Sequence, residues 1–339
     1  MLKLNRREAI ALAGLVLSTT MFVTPVVAEN AKIKVGALRF TSHSASFVAF
    51  ERGYFKEAGL DVELKFFQAA QPMAVAIASG DIDYAVTAVS GGLISLAKKG
   101  AIKVIGGALS EEPGIDGQKI LVSDAAFQAG VKSARDLDGK SFGVTQSGSS
   151  FHYMSAKIAA AEGIELKIKP LQKVGAIIGA LKSGQIDAWS IVPHIAKPLA
   201  GGGSVHIVGN VADYLPNYQV TTVFTSAKNA SEQREQTENF LAAFSKGIDD
   251  YAAAMIDKTG GEDGVNEMVD LIHKYVYADR PREKAAPSII NGTMRLNKGA
   301  ALNIASIEDQ LNWFKAEGLV DDDIDIDTLV DQSYVEILK

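Results

Sequence analysis

From Lys32 onward the chain alternates two hydrophobic rhythms. "KIKVGAL" (32–38) places apolar residues at every other position, the period of a half-buried strand. "SHSASFVAFERGYFKEAG" (42–59) follows, with Phe47, Phe50 and Phe55 on a helical stripe. Ser44 or Ser46 can cap its start, and Gly59 fits its stop. "LDVELKFF" returns to the strand period. "QPMAVAIASG" reads as a helix with Pro72 near its first turn and Gly80 at its end. "DYAVTA", "GGLISLAKKG" and "IKVIGGAL" continue as strand, helix, strand. Short strands alternating with helices predict parallel βαβ units whose sheet is covered on both faces.

The same pattern then recurs. "SGDIDYA" (79–85) returns 104 positions later as "SGQIDAW" (183–189), and "GLDVELK" (59–65) lines up with "GIELKIK" (163–169) at the same offset and without a gap. Two copies are too few for a solenoid, which needs three or more; they predict two lobes built alike. In the second lobe "KSFGVT", "IELKIKPL", "DAWSIV" and "VHIVGN" are the strands, and "SGSSFHYMSAKIAAAEG" and "GAIIGALKSG" the helices. In each copy Ser-Gly-x-Ile-Asp is a helix stop, a tight turn and a strand start. Gly80 and Gly184 supply left-handed backbone, Ile82 and Ile186 enter the core, and Asp83 and Asp187 bond local backbone at the turn.

Beyond Thr221 the periodicity is mainly helical, clearest in "SEQREQTENFLAAFSKGIDDYAAAMI", "GVNEMVDLIHKYVY" and "IEDQLNWFKAEG". This tail is expected to return to the first lobe, with Trp313 and Phe314 packing a helix onto the core and Asp321–Asp323 forming a solvated turn. Residues 29–122 and 222–339 then make lobe one and residues 123–221 lobe two, joined by two chain crossings near 120–124 and 218–224.

Composition narrows the class. The 339 residues are 47% hydrophobic and 22% charged, with a net charge of −6, no basic block and no cysteine. Nucleic acid is an unsuitable partner, and disulfides, thiol catalysis, thiolate metal sites and a lipidated cysteine are excluded. The N-terminus has the form of an export signal: basic "MLKLNRREA", apolar "AIALAGLVLSTTMF", and small residues before a cut after about Ala28. The apolar run is short for a spanning helix, which needs roughly 20 residues. Arg6-Arg7 hints at the twin-arginine route, but Asn5 and Ala9 flank the pair unfavourably, so both that route and the general secretory (Sec) route stay open. A soluble protein of the periplasm is expected.

"ERGYFKEAGLDVEL", "ASGDIDYAV" and "KSGQIDAW" together resemble the type II periplasmic solute-binding proteins of ABC importers, in the branch that holds the sulfonate, taurine, nitrate and thiamine-pyrimidine binding proteins. The resemblance spans nearly all of the chain after the signal. It implies an α/β fold of two lobes, each a mostly parallel sheet flanked by helices. The lobes close on a small molecule through a hinge of two crossings, and the closed form docks on a permease in the inner membrane. A monomer without cofactor is expected.

In open α/β sheets, ligands bind beyond the carboxyl ends of the strands, which selects the candidate residues. Ser42, His43 and Ser44 follow the first strand, where free N–H groups and a helix dipole favour an anion. Ser90 and Gly91 follow the third. In lobe two, Ser147, Ser149 and Ser150 of "TQSGSSFHYM" combine hydroxyls with another helix start, one of them serving as its N-cap, and Pro193 and His194 end the repeated unit. Gln68 occupies a strand end equivalent to that of Gln172. Tyr218 and Gln219 lie at the second crossing, where a tyrosine could stack on a flat ligand or pack the hinge. Arg39 is the nearest lobe-one cation. His43, His152 and His194 lack the short spacing of a metal site, so no metal is expected.

Three functions follow from these residues. The first is the substrate-binding subunit of an ABC importer for a small organic anion, a sulfonate or carboxylate, with an aromatic acid allowed by Phe151, Tyr153 and Trp189. The second keeps the fold and takes a neutral heterocycle such as a thiamine-precursor pyrimidine. The third is an enzyme. It is disfavoured because the pyrimidine synthase and desulfinase of this fold depend on cysteine, and because no phosphate loop, G-x-S-x-G elbow or H-E-x-x-H helix is present. A receptor-presenting sensor subunit remains open beside transport.

Overall fold

The repeated Ser-Gly-x-Ile-Asp segments are the joints of two sheets. The computed structural model describes residues 29–338, so the expected export segment lies outside the described residues. Ten strands matter: β1 (Ala31–Ala37), β2 (Leu60–Phe66), β3 (Tyr84–Ala88), β4 (Ile102–Gly107), β5 (Lys119–Ser123), β6 (Ser141–Val144), β7 (Lys167–Pro170), β8 (Ala188–Ile191), β9 (Val205–Asn210) and β10 (Thr221–Ser226). They form two sheets, β2-β1-β3-β10-β4 and β7-β6-β8-β5-β9.

The two orders are one order written twice. In the first sheet β1 pairs parallel with β2 and β3, while β10 runs antiparallel between β3 and β4. In the second, β6 pairs parallel with β7 and β8, while β5 runs antiparallel between β8 and β9. Four strands of each sheet therefore share a direction and one is reversed. The reversed strand is the one that has just crossed from the other lobe. Both reversed strands carry a register shift, at Val223/Phe224 and at Ile120/Leu121. Because β5 belongs to the second sheet, the first crossing lies ahead of Lys119, earlier than residues 120–124.

The repeat explains the register. Gly80 (φ 79°) and Gly184 (φ 72°) take the left-handed turn, which a side chain would resist. Ile82 and Ile186 are each 3% exposed. The aspartates reach further than the local turn expected of them. Asp83 Oδ2 accepts from Lys34 N of β1 (2.7 Å), and Asp187 Oδ2 from Ser141 N of β6 (2.8 Å). Each carboxylate thus ties the start of its strand to the neighbouring one. Gly36 of β1 and Gly143 of β6 make room for those isoleucines: an added Cβ would come within 2.6 Å of Ile82 Cδ1 and 2.5 Å of Ile186 Cδ1.

The tail returns to the first lobe. Helix Arg234–Tyr251 lies against helix Ser44–Glu51, where an added Cβ at Gly247 would meet Ala49 N at 3.0 Å. Phe240 stacks on Tyr84 (4.2 Å between ring centres) and on Phe55 (5.3 Å). In helix Ile304–Ala316, Phe314 is fully buried in the first lobe's core. Trp313 instead turns outward to the second lobe, edge-on to His152 (5.1 Å) and Tyr153 (5.4 Å). Of the acidic turn, Asp321 and Asp323 are exposed and share Lys98. Among the described residues no helix is long and apolar enough to cross a membrane.

Candidate ligand-binding site

The strand ends of the two sheets face each other, and the space between them is a cavity of about 60 Å³. That volume holds only a few waters, so a ligand of more than a few heavy atoms requires the lobes to part. The wall is built from matched positions, which the strand registers identify. Leu38 and Thr145 follow β1 and β6. Ser42 and Ser149, then His43 and Ser150, occupy the same steps of the turns beyond. Ala70 and Val174 begin equivalent helices. Thr87 with Ala88 answers Ile191 with Val192 at the ends of β3 and β8. Thr221 and Gln118 stand at the entrance of β10 and β5. All of these residues line the cavity.

Among the described residues no Lys, Arg, Asp or Glu lines it. Its polarity comes from neutral groups whose accepting sides are partly occupied. Leu38 N donates to His43 Nδ1 (3.4 Å), and burial pushes the His43 ring down to about 3. The ring is therefore neutral with its proton on Nε2, a donor. Leu109 N donates to Thr221 Oγ1 (2.9 Å), leaving the hydroxyl proton to be given elsewhere. Ser149 Oγ and Gln118 Nε2 are buried without a partner among the described residues. Leu38, Phe40, Leu109, Phe151, Val174, Ile191, Val192 and Val220 supply apolar wall. The arrangement suits a small molecule with an acceptor-rich head and an apolar body.

Of the residues selected from sequence, Ser42, His43, Ser149 and Ser150 line this cavity. Ser44 is buried at the helix start beside it and does not line it. Neither Ser44 nor Ser46 caps that helix, since both hydroxyls are unpartnered and a 3-10 turn, Thr41–His43, leads in instead. Nor does a serine side chain cap helix Ser150–Glu162, although Ser149 holds the N-cap position. Ser147 is exposed, because the left-handed Gly148 turns the chain inward only after it. Gln68 is exposed too; the next residues, Ala69 and Ala70, reach the cavity. Arg39 is drawn outward, over the Phe66 ring (3.9 Å) and to Tyr275 O (3.1 Å).

The remaining candidates are taken up by the frame instead, Gly91 and His194 between the lobes. Ser90 caps the following helix through Leu93 N (3.2 Å) and donates to Gln71 Oε1 (3.2 Å), while Gly91 N donates to Gly148 O across the lobes (2.9 Å). Pro193 opens helix Pro193–Gly201. His194 Nδ1 lies 3.0 Å from Thr41 Oγ1, which itself donates to Gly292 O (2.9 Å). The single Thr41 proton is thereby used, so His194 Nδ1–H is the donor of this bridge between lobes. His194 is also neutral, pushed down to about 3 by burial and by nearby His43.

Tyr218 and Gln219 are hinge residues. Tyr218 is buried and packs against Tyr153 (5.2 Å). The Gln219 side chain is saturated. Its Nε2 donates to Leu109 O and Thr221 O (3.2 and 2.8 Å), and its Oε1 accepts from Asn297 Nδ2 and Asn303 N (2.8 and 3.0 Å). It has nothing left to offer a ligand. Sequence reasoning missed Thr87, Gln118, Thr145 and Thr221. Thr145 closes "FGVT" directly before the serine loop, and Thr87 has the same offset to Ile191 as the rest of the repeat, so the echo could have found both. Gln118 has no such signal. Among the described residues there is no cluster of three metal-ligating side chains.

Two like sheets, each with one reversed strand, closing on a cavity between their strand ends, define the fold of the periplasmic binding proteins. The NMT1/THI5-like family model matches residues 40–254, and the chain belongs to that family. A protein of Brucella abortus, provisionally named a binding protein, is 23% identical over 286 residues, covering 82% of this chain and 81% of its own. The alkanesulfonate-binding protein SsuA of Xanthomonas axonopodis pv. citri, solved with MOPS, superposes with a TM-score of 0.68 at 17% identity, covering 92% of this chain and 100% of its own. The nitrate-binding protein NrtA of Synechocystis PCC 6803 superposes at 0.69 with 14% identity, covering 90% and 87%.

Proposed function

We propose that this protein is the extracytoplasmic solute-binding subunit of an ABC importer, that it acts as a monomer without cofactor, and that it captures a small organic anion, a sulfonate or a carboxylate. The observation that carries the reading is the pair of matched helix approaches, at Ser42–His43 and Ser149–Ser150, on opposite sides of one cavity. The first N–H groups of a helix have no partner within it and attract negative charge, and here neutral donors stand beside them. The names of the structural neighbours, an alkanesulfonate-binding and a nitrate-binding protein, support the class of solute, and that of a ligand-binding component of an ABC-type import system supports the partnership with a membrane permease. A ligand touching both lobes binds the closed form better and shifts the population toward it, which is the signal a permease reads. A binding role rather than catalysis is supported by the absence of cysteine from the sequence and by a wall that, among the described residues, carries no charged side chain.

That same uncharged wall favours a second reading, a neutral heterocycle such as a thiamine-precursor pyrimidine. A thermal-shift screen of the exported form against sulfonates, aliphatic and aromatic carboxylates, nitrate and pyrimidines separates the two. A ligand at 1,000 times its Kd adds about 4 kcal/mol to the folded state. Stabilisation by acids and not by pyrimidines is expected; the reverse result would replace the anion with the heterocycle. Ser149→Ala should weaken the bound acid about tenfold, since a hydrogen bond to a charged group contributes roughly 1.5 kcal/mol or more.

A further inference from the structure

The hinge holds a concentration of buried polar atoms without partners among the described residues. Ser110 Oγ, Glu111 Oε2 and Gln118 Nε2 lie in the first crossing, and Tyr218 OH lies in the second. Buried polar groups are normally paired, and leaving one unpaired costs free energy. An unpaired group persists where something else is meant to satisfy it. Of these four residues only Gln118 also lines the cavity, and it is 2% exposed. Its counterpart in the other sheet, Thr221, lines the cavity too, with its accepting side taken by Leu109 N and its proton uncommitted.

We propose that Gln118 is a specificity-determining ligand residue: from the base of the cleft its amide donates to an acceptor atom of the solute, next to the Thr221 hydroxyl. The proposal rests on the reading of this cavity as the solute site. It places part of the ligand's recognition on the two strands that cross between the lobes, rather than only on the loops that approach each other when they close. A molecule held by both donors spans the two crossings directly. Because an amide is neutral, it selects for an unprotonated acceptor, a carboxylate or sulfonate oxygen or a ring nitrogen, and does not select for charge.

One rival role is visible. Gln118 N donates to Glu111 Oε1 (3.1 Å), and the Gln118 amide lies near that carboxyl without closing a hydrogen bond to it. Gln118 could therefore serve only to steady Glu111. Gln118→Met, of similar length and without polar atoms, separates the roles. Titration calorimetry with ethanesulfonate, benzoate, nitrate and an aminopyrimidine is run on the exported form of wild type and variant, together with melting of both without ligand. Whichever probe binds wild type should lose about tenfold to a hundredfold in affinity. The unliganded variant should melt no lower, because an unpaired buried amide has been removed. An unchanged Kd overturns the proposal, most clearly if the variant alters only the pH dependence of melting. A lower melting temperature without ligand also overturns it, since the amide would then have had a partner. If no probe binds wild type, the anion and heterocycle readings fail, and the melting comparison still decides whether the amide stands unpaired.

Discussion

The two lobes share a frame and differ in what they hang on it. Most steps of the cavity wall in one sheet have a counterpart in the other, yet His43 faces the cavity where lobe two has Ser150, and Thr87 where it has Ile191. The shared part is fixed by backbone demands: a turn glycine, an isoleucine filling the core beneath a glycine of the next strand, and a carboxylate holding that strand's backbone. The cavity positions satisfy no such demand. They are free to diverge, and the divergence determines what the cleft can bind. Where the lobes agree one reads the fold, and where they disagree, its chemistry.

The largest asymmetry lies between the crossings. The first carries Glu111, a buried carboxyl that burial pushes up to about 7, opposed by the hydrogen bond from the Gln118 backbone N–H and by Lys119, with Asp116 adding to the rise. The second crossing faces it with Tyr218, whose own titration is raised by burial and by Glu111. A carboxyl raised from 4.5 in the unfolded chain stabilises the folded state fully below that value, and the contribution is lost as the pH rises to about 7. The rise from 4.5 to about 7 corresponds to roughly 3 kcal/mol. Urea unfolding between pH 4.5 and 8 should show this decline, and Glu111→Gln should flatten it. An equally steep profile in the variant would move the effect to another group. Next in size is the glycine pair. Gly143→Ala presses on Ile177 Cγ2 (2.9 Å) as well as Ile186, whereas Gly36→Ala presses on Met73 Cγ (2.9 Å) and Ile82. A β-branched chain cannot swing aside and a methionine can. Overpacking should therefore cost about 2–3 kcal/mol in lobe two and about 1 in lobe one. Equal losses would mean that the two frames yield alike.

These examples show what the sequence can reveal. The sheets were legible because Ile82 and Asp83, and Ile186 and Asp187, obey local rules, and local rules leave repeats. The helix starts near Ser42 and Ser149 were legible for the same reason. Gln68 and Ser147 looked equivalent to cavity residues and are exposed: each lies in the loop beyond its strand, where no period fixes which way a side chain points, and the chain turns inward only at Ala69 and after the left-handed Gly148. Gln219 looked like a polar ligand residue, but its partners Asn297 and Asn303 come from more than 75 positions away along the chain. Gln118 was invisible because it sits in a segment without periodicity and acquires its place only when both crossings are side by side, with Glu111 N on Tyr218 O (2.9 Å).

The smallest effect tests the shared frame most finely. Asp83 and Asp187 do the same work with one atom's difference. Asp187 Oδ2 accepts from both Ser141 N (2.8 Å) and Ser141 Oγ (2.7 Å), and Ser141 Oγ in turn accepts from Asp187 N (2.9 Å). Asp83 Oδ2 accepts from Lys34 N alone (2.7 Å), since the counterpart of Ser141 is a lysine. One extra charge-assisted bond, half exposed to water, should make Asp187→Ala about 1 kcal/mol more costly than Asp83→Ala. Ser141→Ala should erase that difference, and a double-mutant cycle between Ser141 and Asp187 should return a coupling of about 1 kcal/mol. Lys34→Ser is the sharper experiment, because it writes the lobe-two arrangement into lobe one. If the frames are equivalent, Asp83→Ala in that background becomes as costly as Asp187→Ala. If its cost does not change, the two anchoring sites differ in geometry, and the likeness of the lobes ends at their hydrogen-bond pattern.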